Sequence, residues 1–257
     1  MRYINITLHD KIVNKIKVAI FSNSLNNGGV ERNTALLINY LSKIKIFDLF
    51  LFTNIITKNE FKISYNVKRI VIFNQLYRLK RNIISNKINI FIYQSYDKQI
   101  ITMLKGLKNL KVIFYNHSCF LFWIYIKNGI ILNNIYNEYK KAKYVISIVP
   151  FENNFLFKKW GINSIYMNNF VTYNYNKVIP SDLSSKKILM IGRGSDKNKR
   201  FELGIRAMKF ILKEIPDSEM IIISDDNDII YMKYLVKILE IQKTVNSPSL
   251  YDIFPKY

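Results

Sequence analysis

A chain of 257 residues with 49% hydrophobic content can bury a sizeable core and is long enough for more than one domain. Its one cysteine, Cys119, excludes an intramolecular disulfide and fits a reducing, cytoplasmic setting. The net charge of +21 is unevenly placed, because residues 1–171 carry 25 Lys and Arg against 7 Asp and Glu, whereas residues 172–257 carry 14 against 11.

Residues 1–14, with His9 among them, form a tail that lacks an apolar core of signal-peptide length. Residues 15–22, KIKVAIFS, are the pattern of a buried strand, and Val30, Leu37 and Leu41 then mark one face of a helix. Gly28 and Gly29 fall at the turn from strand to helix, where paired glycines permit positive φ and the close approach of a ligand to a helix N-terminus. The spacing is not G-x-G-x-x-G, which disfavours a nicotinamide cofactor. Further strands are expected at residues 48–53, 68–73, 88–93, 111–115 and 144–149, and helices at residues 74–85, 98–107 and 130–141. This alternation predicts one doubly wound parallel sheet over residues 15–171.

Within that domain His117 directly follows the strand at 111–115, at the carboxyl edge where ligands of such sheets bind. Cys119 has no metal-ligand spacing around it and is assigned a structural role. Residues 120–129, FLFWIYIKNG, suit either the core or the surface of a bilayer, since aromatics beside lysine favour that interface. Residues 150–161 are expected to be a helix closed by Gly161, followed by a short strand at 164–167. Residues 172–185, with Pro180, Ser181, Ser184 and Ser185, have the composition of a linker.

The most informative stretch is residues 188–225. An apolar strand at 188–191 leads through Gly192 into a basic loop, and the spacing of Phe201, Ile205, Met208, Leu212 and Ile215 predicts an amphipathic helix ended by Pro216. Residues 220–223 are the next strand. Arg193, Lys197, Lys199 and Arg200 therefore stand at a helix N-terminus, a place suited to a phosphate or diphosphate. Asp226 and Asp228 make a D-x-D pattern, which in this order of elements is assigned to a turn and helix cap, so no metal site is expected. Residues 229–240 are a further helix.

The string GRGSDKNKRFELGIRA at 192–207 resembles the donor-binding segment of glycosyltransferases of the GT-B fold, in particular the retaining family four. Residues 27–32, NGGVER, are similar to that family's glycine-rich loop after the first strand. The resemblance implies two Rossmann-like doubly wound domains, the first at 15–171, a linker at 172–185 and a nucleotide-sugar-binding domain at 186–257. It implies that Arg193 and Lys199 hold the diphosphate of a nucleoside diphosphate sugar, without metal or cofactor. It also implies that the backbone of Gly28 and Gly29 approaches the donor phosphates or the acceptor, with Glu31 and Arg32 in the cleft, and that His117 contacts the transferred sugar. Glu31 equally suits the first turn of a helix as an acid. Acceptors in the family are saccharides or lipid-linked saccharides. The family's two glutamates, eight positions apart, are missing here. The expectation is thus a C-terminally truncated member with an incomplete second domain, and the alternative is a non-catalytic GT-B-like binding or accessory protein.

The charge of the first 171 residues suggests an anionic partner, a membrane surface or a nucleic acid, although a chain rich in Lys, Asn, Ile, Tyr and Phe together is also what A+T-rich coding produces. No nucleic-acid recognition motif is present. No segment reaches the roughly 18 uninterrupted apolar residues that span a bilayer. The expected place is therefore the cytoplasm, at most peripheral on the inner face of the membrane.

Overall fold

The computed structural model describes residues 15–26, 28–94, 98–104, 106–119, 132–171, 179–192, 199–224, 226–242 and 244–246. These fall into two compact units, divided between Thr172 and Tyr173. The expected N-terminal tail, the aromatic run at 120–129 and Arg193 lie outside the described residues.

The first unit is built on seven parallel strands, β1 (Ile16–Ser22), β2 (Phe47–Thr53), β3 (Lys68–Val71), β4 (Ile90–Tyr93), β5 (Lys111–Asn116), β6 (Tyr144–Ser147) and β7 (Ser164–Tyr166), in the order β3-β2-β1-β4-β5-β6-β7. Among the described residues its helices are α1 (Gly29–Leu41), α2 (Leu76–Ser85), α3 (Lys98–Leu104), α4 (Leu132–Tyr139) and α5 (Pro150–Trp160). Strands covered on both faces need apolar side chains in both directions, and β1 and β2 supply them. Ala19, Phe21, Phe50, Phe52, Phe91 and Phe114 pack with Leu79 and Ile83 of α2, Ile135 of α4 and Leu156 of α5. On the other face Val18, Ile20, Leu49 and Leu51 pack with Leu37 and Ile38 of α1. Each fully buried Val, Leu, Ile or Phe among them contributes about 1.5–3 kcal/mol.

Several boundaries differ from the sequence pattern, and two of them have a visible backbone cause. The third strand stops at Val71, because Phe73 and Asn74 adopt φ of 52° and 59°, and two consecutive left-handed residues cannot continue a strand. The third described helix ends at Leu104, and Gly106, with φ 86°, lies just beyond it. Gly161 closes α5 with φ 63°, as the sequence suggests.

Among its described residues the second unit has three parallel strands, β8 (Lys187–Ile191), β9 (Glu219–Ile223) and β10 (Val245–Asn246), in the order β10-β9-β8, with α6 (Phe201–Glu214) and α7 (Asp226–Ile238). The strand β10 is not expected from the sequence, its described length being only two residues. Phe201, Ile205 and Met208 of α6 and Met232, Leu235 and Val236 of α7 share one core with Met220 and Ile222. Both helices therefore cover one face. On the other, Leu189 and Ile191 are 56% and 52% exposed. Among the described residues this is half of a doubly wound sheet, wound in one direction, so the second domain is the incomplete one.

Candidate functional site

The order of strands in the first unit reverses between β1 and β4, which leave the sheet axis in opposite directions through their crossovers. A crevice opens at the carboxyl ends of such a pair. Here it is a cavity of about 310 Å³, lined by Ser22 and Asn23 at the end of β1, Val30 and Glu31 of α1, Gln94 after β4, and Asn116, His117 and Ser118 at the end of β5. Phe21, Phe114, Tyr115, Ile135 and Tyr139 supply its apolar part. An apolar lining with a few convergent polar groups is the usual make-up of a small-molecule site.

His117 is held on three sides. Its Nε2 lies 2.7 Å from Gln94 Oε1, its Nδ1 lies 3.0 Å from Asn169 Oδ1, and its ring sits 4.1 Å, centroid to centroid, from that of Tyr115. Burial pushes its pKa below the ordinary histidine value, against the opposing influence of the Asn169 hydrogen bond. Tyr115 is raised above the ordinary tyrosine value, chiefly by burial. The turn that presents His117 is backed by a buried carboxylate. Glu152, 0% exposed in the first turn of α5, accepts from Asn116 Nδ2 at 2.8 Å and from Ser147 Oγ at 2.6 Å, while Asn116 Oδ1 accepts from the Ser118 amide at 3.2 Å.

Asn168–Phe170 follows β7 and is tied to the same edge. The Phe170 amide donates to the buried Asn33 Oδ1 of α1 at 2.9 Å, which fixes the chain so that Asn169 reaches His117.

The expected glycine turn forms, but for a different physical reason. Gly28 is extended, at φ −129° and ψ 159°, and neither Gly28 nor Gly29 has positive φ. What Gly28 provides is space. A β-carbon there would stand 1.7 Å from Glu31 Oε2, so the Glu31 carboxylate lies against the start of α1. An acid in the first turn suits the positive end of a helix. Arg32 is exposed on the next position of α1. His117 and Glu31 thus line one cavity, with Gly28 and Gly29 at the helix start beside it.

In the second unit the carboxyl end of β8 runs into Gly192, over which the stem of Lys199 lies, with Cγ 2.8 Å from the place of a β-carbon. Arg200 is the N-cap of α6 in the left-handed region, at φ 51°, and makes no side-chain cap. The Leu203 amide donates to the Arg200 carbonyl at 3.0 Å, and the Phe201 and Glu202 amides receive no side-chain cap from Arg200, beside a lysine, an arrangement that suits an anion. Among the described residues no cluster of His, Cys, Asp or Glu could hold a metal ion.

Sequence reasoning does not single out Gln94, Asn116 or Glu152. Gln94 follows β4 as His117 follows β5, so the position that marks one marks the other. Glu152 carries no signal of its own, since an acid in the first turn of a helix is ordinary.

No family model matches the chain, and no curated protein sequence matches it. Solved structures do. WaaG, a glycosyltransferase involved in lipopolysaccharide biosynthesis, superposes at a TM-score of 0.60 and 12% identity, over 90% of this chain and 70% of its own. A glycosyltransferase from Rickettsia africae ESF-5 superposes at 0.57 and 16% identity, over 92% and 68%. An S. aureus TarM variant in complex with fondaparinux, α-GlcNAc-glycerol and UDP superposes at 0.62 and 10% identity, over 92% and 77%. The fold is GT-B. At these identities the likeness is one of fold, and within the GT-B fold the cavity beside His117 belongs to the first of the two Rossmann-like domains and Lys199 to the second.

Proposed function

We propose that the protein is a glycosyltransferase that moves a sugar from a nucleoside diphosphate sugar to a saccharide or lipid-linked acceptor, in the synthesis of a surface polysaccharide or glycoconjugate. The observation that carries this reading is the cavity around His117, apolar with a few convergent polar groups, at the switch point of a GT-B first domain. Support comes from the neighbours, since TarM shares the fold and is seen with UDP and saccharide ligands.

In this reading Arg193 and Lys199 neutralise the departing diphosphate, where negative charge grows in the transition state, and no metal or other cofactor is needed. His117 contacts the transferred sugar. The backbone of Gly28 and Gly29 approaches the donor phosphates or the acceptor, and Glu31, which lines the cavity, and Arg32 take the acceptor or cleft side. The segment GRGSDKNKR supports transfer of a hexose with retention of configuration, by its resemblance to family four. The basic first 171 residues suit a peripheral place on an anionic, cytoplasmic membrane surface. Among the described residues no helix is long and apolar enough to cross a membrane.

Calorimetric titration of the purified chain with UDP, GDP and ADP tests the reading, repeated on Arg193→Ala and Lys199→Ala. One of the three should bind, and each substitution should weaken it roughly tenfold, as expected for loss of one charge-assisted contact. A folded chain that binds none of them overturns the assignment. Binding without transfer to any saccharide acceptor would make the protein an accessory binder, and isomerisation of the donor sugar without transfer would make it a different enzyme on the same fold.

A further inference from the structure

The protons around His117 do not balance as the groups stand. Both ring nitrogens face side-chain amide oxygens, Gln94 Oε1 at 2.7 Å and Asn169 Oδ1 at 3.0 Å, and an oxygen of that kind only accepts. A neutral imidazole carries one N–H. Thr34 adds a second conflict, because its single hydroxyl proton faces both Val30 O at 2.8 Å and Gln94 Oε1 at 3.0 Å. The Gln94 amide nitrogen, meanwhile, is buried without a hydrogen-bond partner on a side chain only 7% exposed.

One half-turn of the Gln94 amide removes the first two conflicts and eases the third. Its NH₂ then stands where Oε1 stood and donates one proton to Thr34 Oγ1 and one to His117 Nε2. Thr34 is left to donate to Val30 O. The Gln94 oxygen takes the unpartnered buried position, where one acceptor is left over instead of two donors. His117 Nε2 is then an acceptor, and the single ring proton sits on Nδ1, aimed at Asn169.

We infer that Gln94 is a positioning residue that holds His117 as the neutral Nδ1–H tautomer, and that Asn169 occupies the position a ligand oxygen would take from that proton. His117 is thereby a hydrogen-bond donor to an uncharged oxygen, such as a sugar hydroxyl. It does not serve as a general base, since its one lone pair is already bound by Gln94. The burial of the ring agrees with a neutral imidazole. The titratable groups around it are Tyr115, whose ring lies tilted against it, and Glu31 and Tyr139, which line the same cavity; Glu152 is engaged behind Asn116.

The statement about the ligand rests on the glycosyltransferase reading, whereas the tautomer does not. The test is therefore made without ligand, by two-bond ¹H–¹⁵N spectra of the imidazoles at pH 7, with His9→Gln to assign the only other histidine. The native protein should show Nδ1 protonated and Nε2 bare. Gln94→Glu offers Nε2 an acceptor only, and should move the proton to Nε2 or produce the cation, with the titration midpoint raised. Asn169→Ala, at an exposed position, should keep the Nδ1–H tautomer, because Gln94 and not Asn169 dictates it. A native Nε2–H tautomer, a cation at pH 7, an unchanged spectrum in Gln94→Glu, or reversion to Nε2–H in Asn169→Ala would each overturn the inference. The outcome is independent of nucleotide binding, so failure of either idea leaves the other standing.

Discussion

The aliphatic stem of Lys199 crosses the bare backbone of Gly192, so closely that a β-carbon there would meet Cγ at 2.8 Å, Cδ at 2.9 Å and Cε at 3.0 Å. The glycine at the end of β8 thus makes room for the side chain that leads into α6, and the two positions act as one device. Gly192 has no positive φ, so its replacement is a steric change alone. Gly192→Ala should leave the melting temperature within a few degrees of the native value and weaken nucleoside diphosphate binding roughly threefold to tenfold, through displacement of Lys199. Calorimetry on Gly192→Ala beside Lys199→Ala checks this, and the double substitution should be no worse than Lys199→Ala alone.

Asn33 is 2% exposed, and its Oδ1 receives the Phe170 amide. Asn33→Ala leaves that N–H without its partner, at a cost of about 1–3 kcal/mol. Because Asn169 is the next residue, the substitution should also loosen its hold on His117. A lower denaturation midpoint in urea together with a shifted His117 resonance is the expected pair of results.

Folded His117 has a pKa below that of the unfolded chain, so between the two values the unfolded state binds more protons. Stability contributed by the neutral ring is fully present above the ordinary histidine value of about 6.5 and is lost as pH falls below it toward the folded pKa. Chemical denaturation at a series of pH values should show this decline as the pH is lowered through and below about 6.5, and His117→Gln should flatten it. The Glu60 carboxyl, lowered chiefly by its hydrogen bond to Arg69, adds a separate loss at more acidic pH.

Glu31 lines the cavity of the first unit, with its carboxylate against Gly28. If the diphosphate is held by Arg193 and Lys199, Glu31→Gln should leave UDP affinity within about twofold while lowering transfer to a saccharide. A marked rise in UDP affinity would mean that the carboxylate had been repelling the diphosphate, and that the start of α1 is itself the phosphate site.

Much of this architecture is legible in local pattern. Unbroken apolar runs such as 18–21 and 49–52 announce strands covered on both faces, and Pro150 and Gly161 bracket α5. Phe73 and Asn74 escape such reasoning because their left-handed backbone is imposed by tertiary contacts, among them the Asn74 amide donating to Asn54 Oδ1. His117 is legible from its place after a strand. Its partners Gln94 and Asn169 are 23 and 52 residues away, and no periodicity links residues that meet only when the sheet assembles. Of the two properties that the sequence offers at Gly28, positive φ is not used, since its φ is −129°, whereas the missing side chain leaves room for the Glu31 carboxylate.

The uncovered face of β8 bears on how the protein behaves in a tube. Leu189 and Ile191 point outward from a strand that is the edge of the described sheet, the combination that invites strand-to-strand joining of molecules. A net charge of +21 keeps molecules apart while the Debye length is long, but at 0.1 M salt that length is about 10 Å and at 1 M about 3 Å. The protein should therefore stay dispersed in dilute buffer and salt out early.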